Sequence, residues 1–285
     1  MTEQSLYKGI LDNSSGSPRI ISNDGHAILQ DIPIWDGYLK HWVGKPVNAR
    51  FLPQKDYEND HPILIVWPDA LPIDRPFVEF YYNERLVKYP ASFFGHNAVN
   101  INGKIFNFSH LYNESEIMKP EEYFYRPALG EFAPSPDTGM FEIKEDGTAY
   151  FDKFGRNFMR TIHGIRIFGL DTDKLSEYLN HQLEVIHSTP PNPEKPEKYP
   201  DFNFFTRSCA TIIRDGFRSL GFKKISGILP HDLFVNIVSV FMNEPSLEAT
   251  LFTMPQLNVP EALPSTMTPL LNPRNRIRNY RLKKR

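Results

Sequence analysis

Cys209 is the only cysteine among 285 residues, and its surroundings suit a nucleophile. Thr206, Arg207 and Ser208 follow two phenylalanines, and Ile212, Ile213, Phe217 and Leu220 then recur at helical spacing up to Gly221. The pattern predicts an amphipathic helix with Cys209 in its first turn, capped by Thr206 or Ser208. Unpaired backbone N–H groups and the positive end of the helix dipole gather at that turn, and both favour a thiolate, the form that attacks carbonyl carbon. A lone cysteine is otherwise a small buried hydrophobe, so the chemistry depends on a base within reach.

That base needs a polar group to orient it in turn. Phe94-Gly95-His96-Asn97-Ala98-Val99-Asn100-Ile101 meets Asn102-Gly103 and returns as Lys104-Ile105-Phe106-Asn107-Phe108-Ser109-His110. Asn-Gly between two such runs is the strongest short hairpin signal. With Asn102-Gly103 as a two-residue turn, Ile101 pairs with Lys104 and Ala98 with Asn107. His96, Ala98, Asn107 and Ser109 then project from one face, and Val99, Ile101, Phe106 and His110 from the other. Cys209, His96 and Asn107 form the candidate catalytic set if the Cys209 helix packs across the face that carries His96. Ser109 competes with Asn107 for the orienting role, and Asn107 is preferred because its amide oxygen accepts from an imidazole N–H without rearrangement. Ser109, Ser208 and Phe94 are the candidates for substrate contact, and the backbone N–H of Cys209 is the candidate oxyanion donor. His163 falls in a predicted strand, where a structural histidine is the default.

The elements that must position these residues follow in chain order. Residues 1–60 are rich in Gly, Asp, Asn and Pro and predict an irregular extension laid over the core. His61–Trp67 and Phe77–Tyr82 both read as strands, with which a sheet begins. Phe141–Lys144 and Thr148–Phe151 flank Glu145-Asp146-Gly147 as a second hairpin. Residues 172–187 place Leu175, Leu179, Leu183 and Ile186 on one stripe of a helix. Five prolines between Ser188 and Pro200 predict an exposed connector, and Pro230 opens an apolar helix. A catalytic domain over 61–245 would then be followed by a Pro-rich arm and basic tail over 246–285.

Composition narrows the classes. Hydrophobic content of 40% is ordinary for a globular chain. One cysteine leaves neither an internal disulfide nor a Cys-rich zinc site, and His181 and His187 lie too far apart to share a helical face, so neither metal nor cofactor is expected. The first residues lack the pattern of a signal peptide, and no run approaches a transmembrane span. The net charge of −2 hides an asymmetry: seven Arg and Lys residues between Arg274 and Arg285 leave −9 on residues 1–273. Such a tail could meet an anionic membrane. No aromatic platform for nucleic acid accompanies it, so nucleic acid is not an expected partner.

Taken together, these segments resemble the permuted papain-like superfamily, which includes NlpC-type and lecithin:retinol acyltransferase-like proteins and in which a histidine strand and a polar strand precede the cysteine helix. Phe93-Phe94-Gly95-His96 is similar to the Phe-Gly-His strand opening of the Lnb-like lipoprotein N-acyltransferase family. Phe202–Arg214 resembles that family's aromatic run into its cysteine and following arginine, and Leu229-Pro230-His231-Asp232-Leu233 its Pro-x-Asp-Leu helix start. The likeness spans about residues 60–241. The family usually has Asn where this chain has Ser208, and its lipoprotein-type members carry a signal and membrane spans.

The resemblance implies an α+β fold with an antiparallel sheet that carries the histidine and packs against the cysteine helix. It implies a thiol hydrolase or acyltransferase working through an acyl-enzyme. The favoured substrate is a phospholipid acyl ester. Muropeptide amide cleavage, lipoprotein-type transacylation and a non-catalytic binding role are the alternatives. It further suggests a chain made in the cytoplasm and exported as an antibacterial effector, with an immunity protein as partner.

Overall fold

The computed structural model of the chain describes residues 5–30, 36–55, 62–86, 93–125, 132–134, 141–143, 160–196, 198–257 and 264–282. It is a mixed α+β structure built on two larger antiparallel sheets, with six α-helices among the described residues.

The first sheet contains β1 (Tyr7–Asp12), β2 (Arg19–Ile21) and β3 (Ala27–Leu29), then, after helix α1 (Asp36–Trp42), β4 (Pro46–Lys55) and β5 (Pro62–Pro68), in the order β3-β2-β1-β4-β5. Leu11, Ile20, Val47, Ala49, Leu64 and Val66 alternate onto one face and bury Leu39 and Trp42 of α1. This corrects the expectation of irregular structure over residues 1–60. The strands are short, and their apolar positions gain a periodic meaning only once they are paired. The strand expected over 61–67 is likewise reassigned: its described part, from Pro62, pairs with β4, Phe51 opposite Leu64, and belongs to this sheet.

The second sheet contains β6 (Phe77–Asn83), β7 (His96–Ile101), β8 (Lys104–Asn107) and β9 (Glu116–Met118). Helix α2 (Pro120–Tyr125) and a separate pair, β10 (Phe132–Pro134) with β11 (Phe141–Ile143), come next. The turn and return arm expected after Phe141 lie outside the described residues. The chain continues through β12 (Ile162–Phe168), α3 (Thr172–Ser188), α4 (Cys209–Ser219), α5 (Pro230–Phe241), β13 (Glu248–Met254) and α6 (Pro273–Leu282). The strand order is β13-β12-β6-β7-β8-β9.

Two contiguous positive φ values, 51° at Asn102 and 85° at Gly103, make the β7–β8 turn. They hold the expected register, Ala98 opposite Asn107 and Ile101 opposite Lys104. Val99, Ile101 and Phe106 enter the core that covers α3, α4 and α5, where Phe217 of α4 lies edge-on to Phe80 and Phe241. Truncating so enclosed a ring would cost about 3–5 kcal/mol. Ala98 and Ile105 face the other way, onto Tyr123 and Phe124 of α2. The cysteine helix therefore packs on the face opposite the one expected. Val99, Ile101 and Phe106 offer it a continuous apolar surface, whereas the His96 face carries Asn100 and Asn107 among its residues.

The C-terminal segment is also more ordered than an arm and tail. Strand β13 pairs with β12 along its whole length, and basic helix α6 packs against α5. Asp232 supplies that anchor, accepting the N–H groups of Leu271 and Asn272 and the side-chain amide of Asn275.

Candidate active site

Ser208 and Thr211 fix the start of α4. The Ser208 hydroxyl accepts the Thr211 N–H and the Thr211 hydroxyl accepts the Ser208 N–H, forming a reciprocal capping box. Cys209 is then the first helical residue, as the spacing predicts, and Ser208 is the cap. Because the Ser208 hydroxyl is committed to the cap, this residue contributes to the site chiefly by holding the helix terminus.

Cys209 is half-buried and opens on a cavity of about 370 Å³. His96, Ser109, Ser208 and Phe94, all named from the sequence, line the same cavity. Burial pushes the Cys209 thiol up from its ordinary pKa, and hydrogen bonding from the backbone N–H groups of Asn97, Ala210 and Cys209 itself offsets only part of that rise. The helix terminus does favour the anion, but desolvation is the larger effect. Since Asn97 directly follows His96, the amide that reaches the sulfur belongs to the same strand start that bears the histidine.

His96 and Cys209 thus share the cavity at the end of the sheet, His96 as the first residue of β7 and Cys209 as the first of α4. Gly95 makes the bend just before the histidine, with φ +74°. A Cβ there would fall 2.6 Å from the Asn83 carbonyl oxygen and 2.7 Å from the Tyr82 ring, so both the backbone conformation and the space demand glycine.

Asn107 lies beneath the histidine. Its Oδ1 is 2.6 Å from His96 Nε2, and its Nδ2 donates to the Glu114 carbonyl at 2.6 Å. A carbonyl oxygen can only accept, so the Glu114 bond fixes which end of the amide meets the ring. His96 must donate through Nε2, which leaves Nδ1 as the lone-pair nitrogen of the neutral imidazole. Ser109 takes no part in this pair, for its hydroxyl donates to the Glu114 carboxylate at 2.9 Å and its N–H to the Ser115 hydroxyl.

His110, expected on the opposite face, also lines the cavity. Strand β8 ends at Asn107, so alternation does not extend to residue 110. Glu114 was not legible as a site residue, since it acts through its backbone carbonyl and a contact made after the strand has ended. Phe93, Phe108 and Ile228 complete the wall with Phe94, Phe202 and Phe204, and apolar surface predominates. His163 bonds Glu84 at 2.9 Å within the sheet, a structural role. Among the described residues no group of three or more His, Cys, Asp and Glu side chains is placed to hold a metal ion, and no helix is long and apolar enough to cross a membrane.

Comparison with protein families, with curated proteins and with solved structures finds no match.

Proposed function

We propose that this chain is a thiol acyl hydrolase or acyltransferase with a permuted papain-like arrangement, acting on phospholipid acyl esters. The observation that carries the reading is one cavity lined by both Cys209 and His96, with the Asn107 amide holding the imidazole in the tautomer of a base. The order of a histidine strand, a polar strand and a later cysteine helix agrees with the permuted family. Ser208 in place of the family's Asn is a conservative change for the helix, since Asn and Ser are comparable N-caps.

Because burial keeps the thiol protonated, proton transfer accompanies attack. His96 Nδ1 takes the Cys209 proton as the sulfur bonds to the acyl carbon and the carbonyl electrons move onto oxygen. The backbone N–H of Cys209 is suited to stabilise that oxyanion. Collapse expels the alcohol of the ester, which receives the proton from His96 and leaves a thioester. Water or another acceptor then gives its proton to His96, attacks the thioester and releases the acyl group, restoring the thiol.

The wall of five phenylalanines and Ile228 favours a hydrocarbon chain over the polar peptides of the cell wall, because burying alkyl surface there gains about 25 cal/mol per Å². Mass spectrometry of phospholipids incubated with wild type and Cys209→Ala tests the reading. Free fatty acid and lysolipid formed only by wild type are expected. Intact lipids alongside cleaved muropeptides would replace it with an amidase, and no product from either would remove the enzymatic reading.

A further inference from the structure

Helix α6 is attached in a way that decides what it displays. Asp232, in the first turn of α5, accepts the Leu271 N–H at 3.1 Å, the Asn272 N–H at 3.2 Å and the Asn275 side-chain amide at 3.0 Å. Asn275 is fully buried by this contact. At 100° per residue, Ile277 and Tyr280 fall on the side of the helix away from Asn275, with Arg274 and Arg281 on one flank and Arg276 on the other. Ile277 is 56%, Tyr280 60% and the preceding Leu271 58% exposed. The first turn has no acidic residue to temper the arginines. Large apolar side chains bracketed by cations make an interfacial helix, which seats its apolar residues at the acyl boundary and its charges among the headgroups.

We infer that α6 is a docking face for an anionic lipid bilayer. Charge complementarity selects the partner, each arginine near an acidic leaflet contributing about 1 kcal/mol. A nucleic acid would engage the arginines but leave Leu271 and Ile277 in water, so it fits the surface less well. Docking also bears on the cavity. Pro230, two residues before Asp232, lines it, and Phe93 and Ile228 are exposed at its wall, so the helix is tethered to the start of α5 that borders the cavity. The docking face stands on its own observations, while delivery of lipid to the cavity rests on the function proposed above.

Sedimentation of full-length Cys209→Ala with phosphatidylcholine vesicles, with and without phosphatidylglycerol, tests the inference while leaving the lipid chemically intact. Binding is expected only with phosphatidylglycerol and is expected to fade at high salt. On the same background, Ile277→Asp and the pair Arg274→Glu with Arg281→Glu should each weaken it by more than about tenfold without lowering the melting temperature. No binding, equal binding to both vesicles, or binding indifferent to these substitutions overturns the docking face. Capture of a single-stranded RNA without vesicle binding overturns it in favour of a nucleic-acid surface. A wild-type protein that binds vesicles yet releases no fatty acid keeps the docking face and loses the lipase reading.

Discussion

Nε2 of His96 lies 2.6 Å from Oδ1 of Asn107, and the same amide is held from its other end by the Glu114 carbonyl. The ring is oriented by a group that is itself oriented, and in the proposed chemistry His96 moves the proton while Asn107 only aims it.

Turnover should rank accordingly. Cys209→Ala is expected to abolish lipid cleavage, and His96→Ala to lower kcat by about 10²–10⁴, the usual worth of a general base. Asn107→Ala should cost less than His96→Ala, because a free imidazole still samples the productive orientation. Steady-state kinetics of the three variants check this, and equal losses would mean that Asn107 does more than aim the ring.

Iodoacetamide should alkylate Cys209 with a midpoint above the ordinary thiol value of about 8.5, since burial outweighs the three backbone donors. A rate profile against pH measures it. A midpoint well below that value, as the helix terminus alone suggests, would show a preformed thiolate and imidazolium.

Ser208→Ala should destabilise the fold by about 0.5–2 kcal/mol, whereas Ser208→Asn should remain close to wild type, because Asn can accept the same N–H. Denaturant midpoints distinguish the two. A large loss in Ser208→Asn would argue against a capping role.

Acid should loosen the start of α5. His231 donates through Nδ1 to the Thr268 carbonyl, stacks on Tyr82 with centroids 4.7 Å apart, and buries Nε2 with no partner among the described residues. Burial lowers its pKa, so below about 6.5 the unfolded chain binds a proton that the folded one resists. Its contribution is present above that pH and lost as pH falls through the window. Melting temperatures between pH 7 and 5 should drop less in His231→Gln than in wild type.

Asp232→Ala should release α6 while α5 stays folded. Two backbone N–H groups lose their acceptor and the Asn275 amide keeps only the Asp232 backbone carbonyl, a cost of about 1–3 kcal/mol for each donor left buried. Limited proteolysis should then cut near Arg274, at a site protected in wild type.

Much of the site could be read from local signals. The Asn102-Gly103 turn dictates its register by backbone sterics alone, and the first turn of α4 follows from Ser208, Thr211 and the stripe of Ile213 and Phe217. What local signals do not carry is which face of a sheet a distant helix will cover. That choice depends on Val99, Ile101 and Phe106 together with Phe80 and Ile165 from other strands, a surface that exists only after assembly. The N-terminal sheet was hidden for a related reason, since three-residue strands such as β2 and β3 carry too few alternations to register as a pattern. Helix α6 was obscured by its arginines, which make a segment look solvated although one buried asparagine and one aspartate suffice to hold it.

The bend at Gly95 ties the His96 imidazole to distant parts of the protein. Any side chain at that position would press on Tyr82, whose hydroxyl bonds Thr268 and whose ring covers His231. Phe94-Gly95-His96 and Tyr82 are therefore expected to be inherited together: a lineage that replaced the glycine would have to redraw the tyrosine's surroundings as well, and would part with the histidine's aim in doing so.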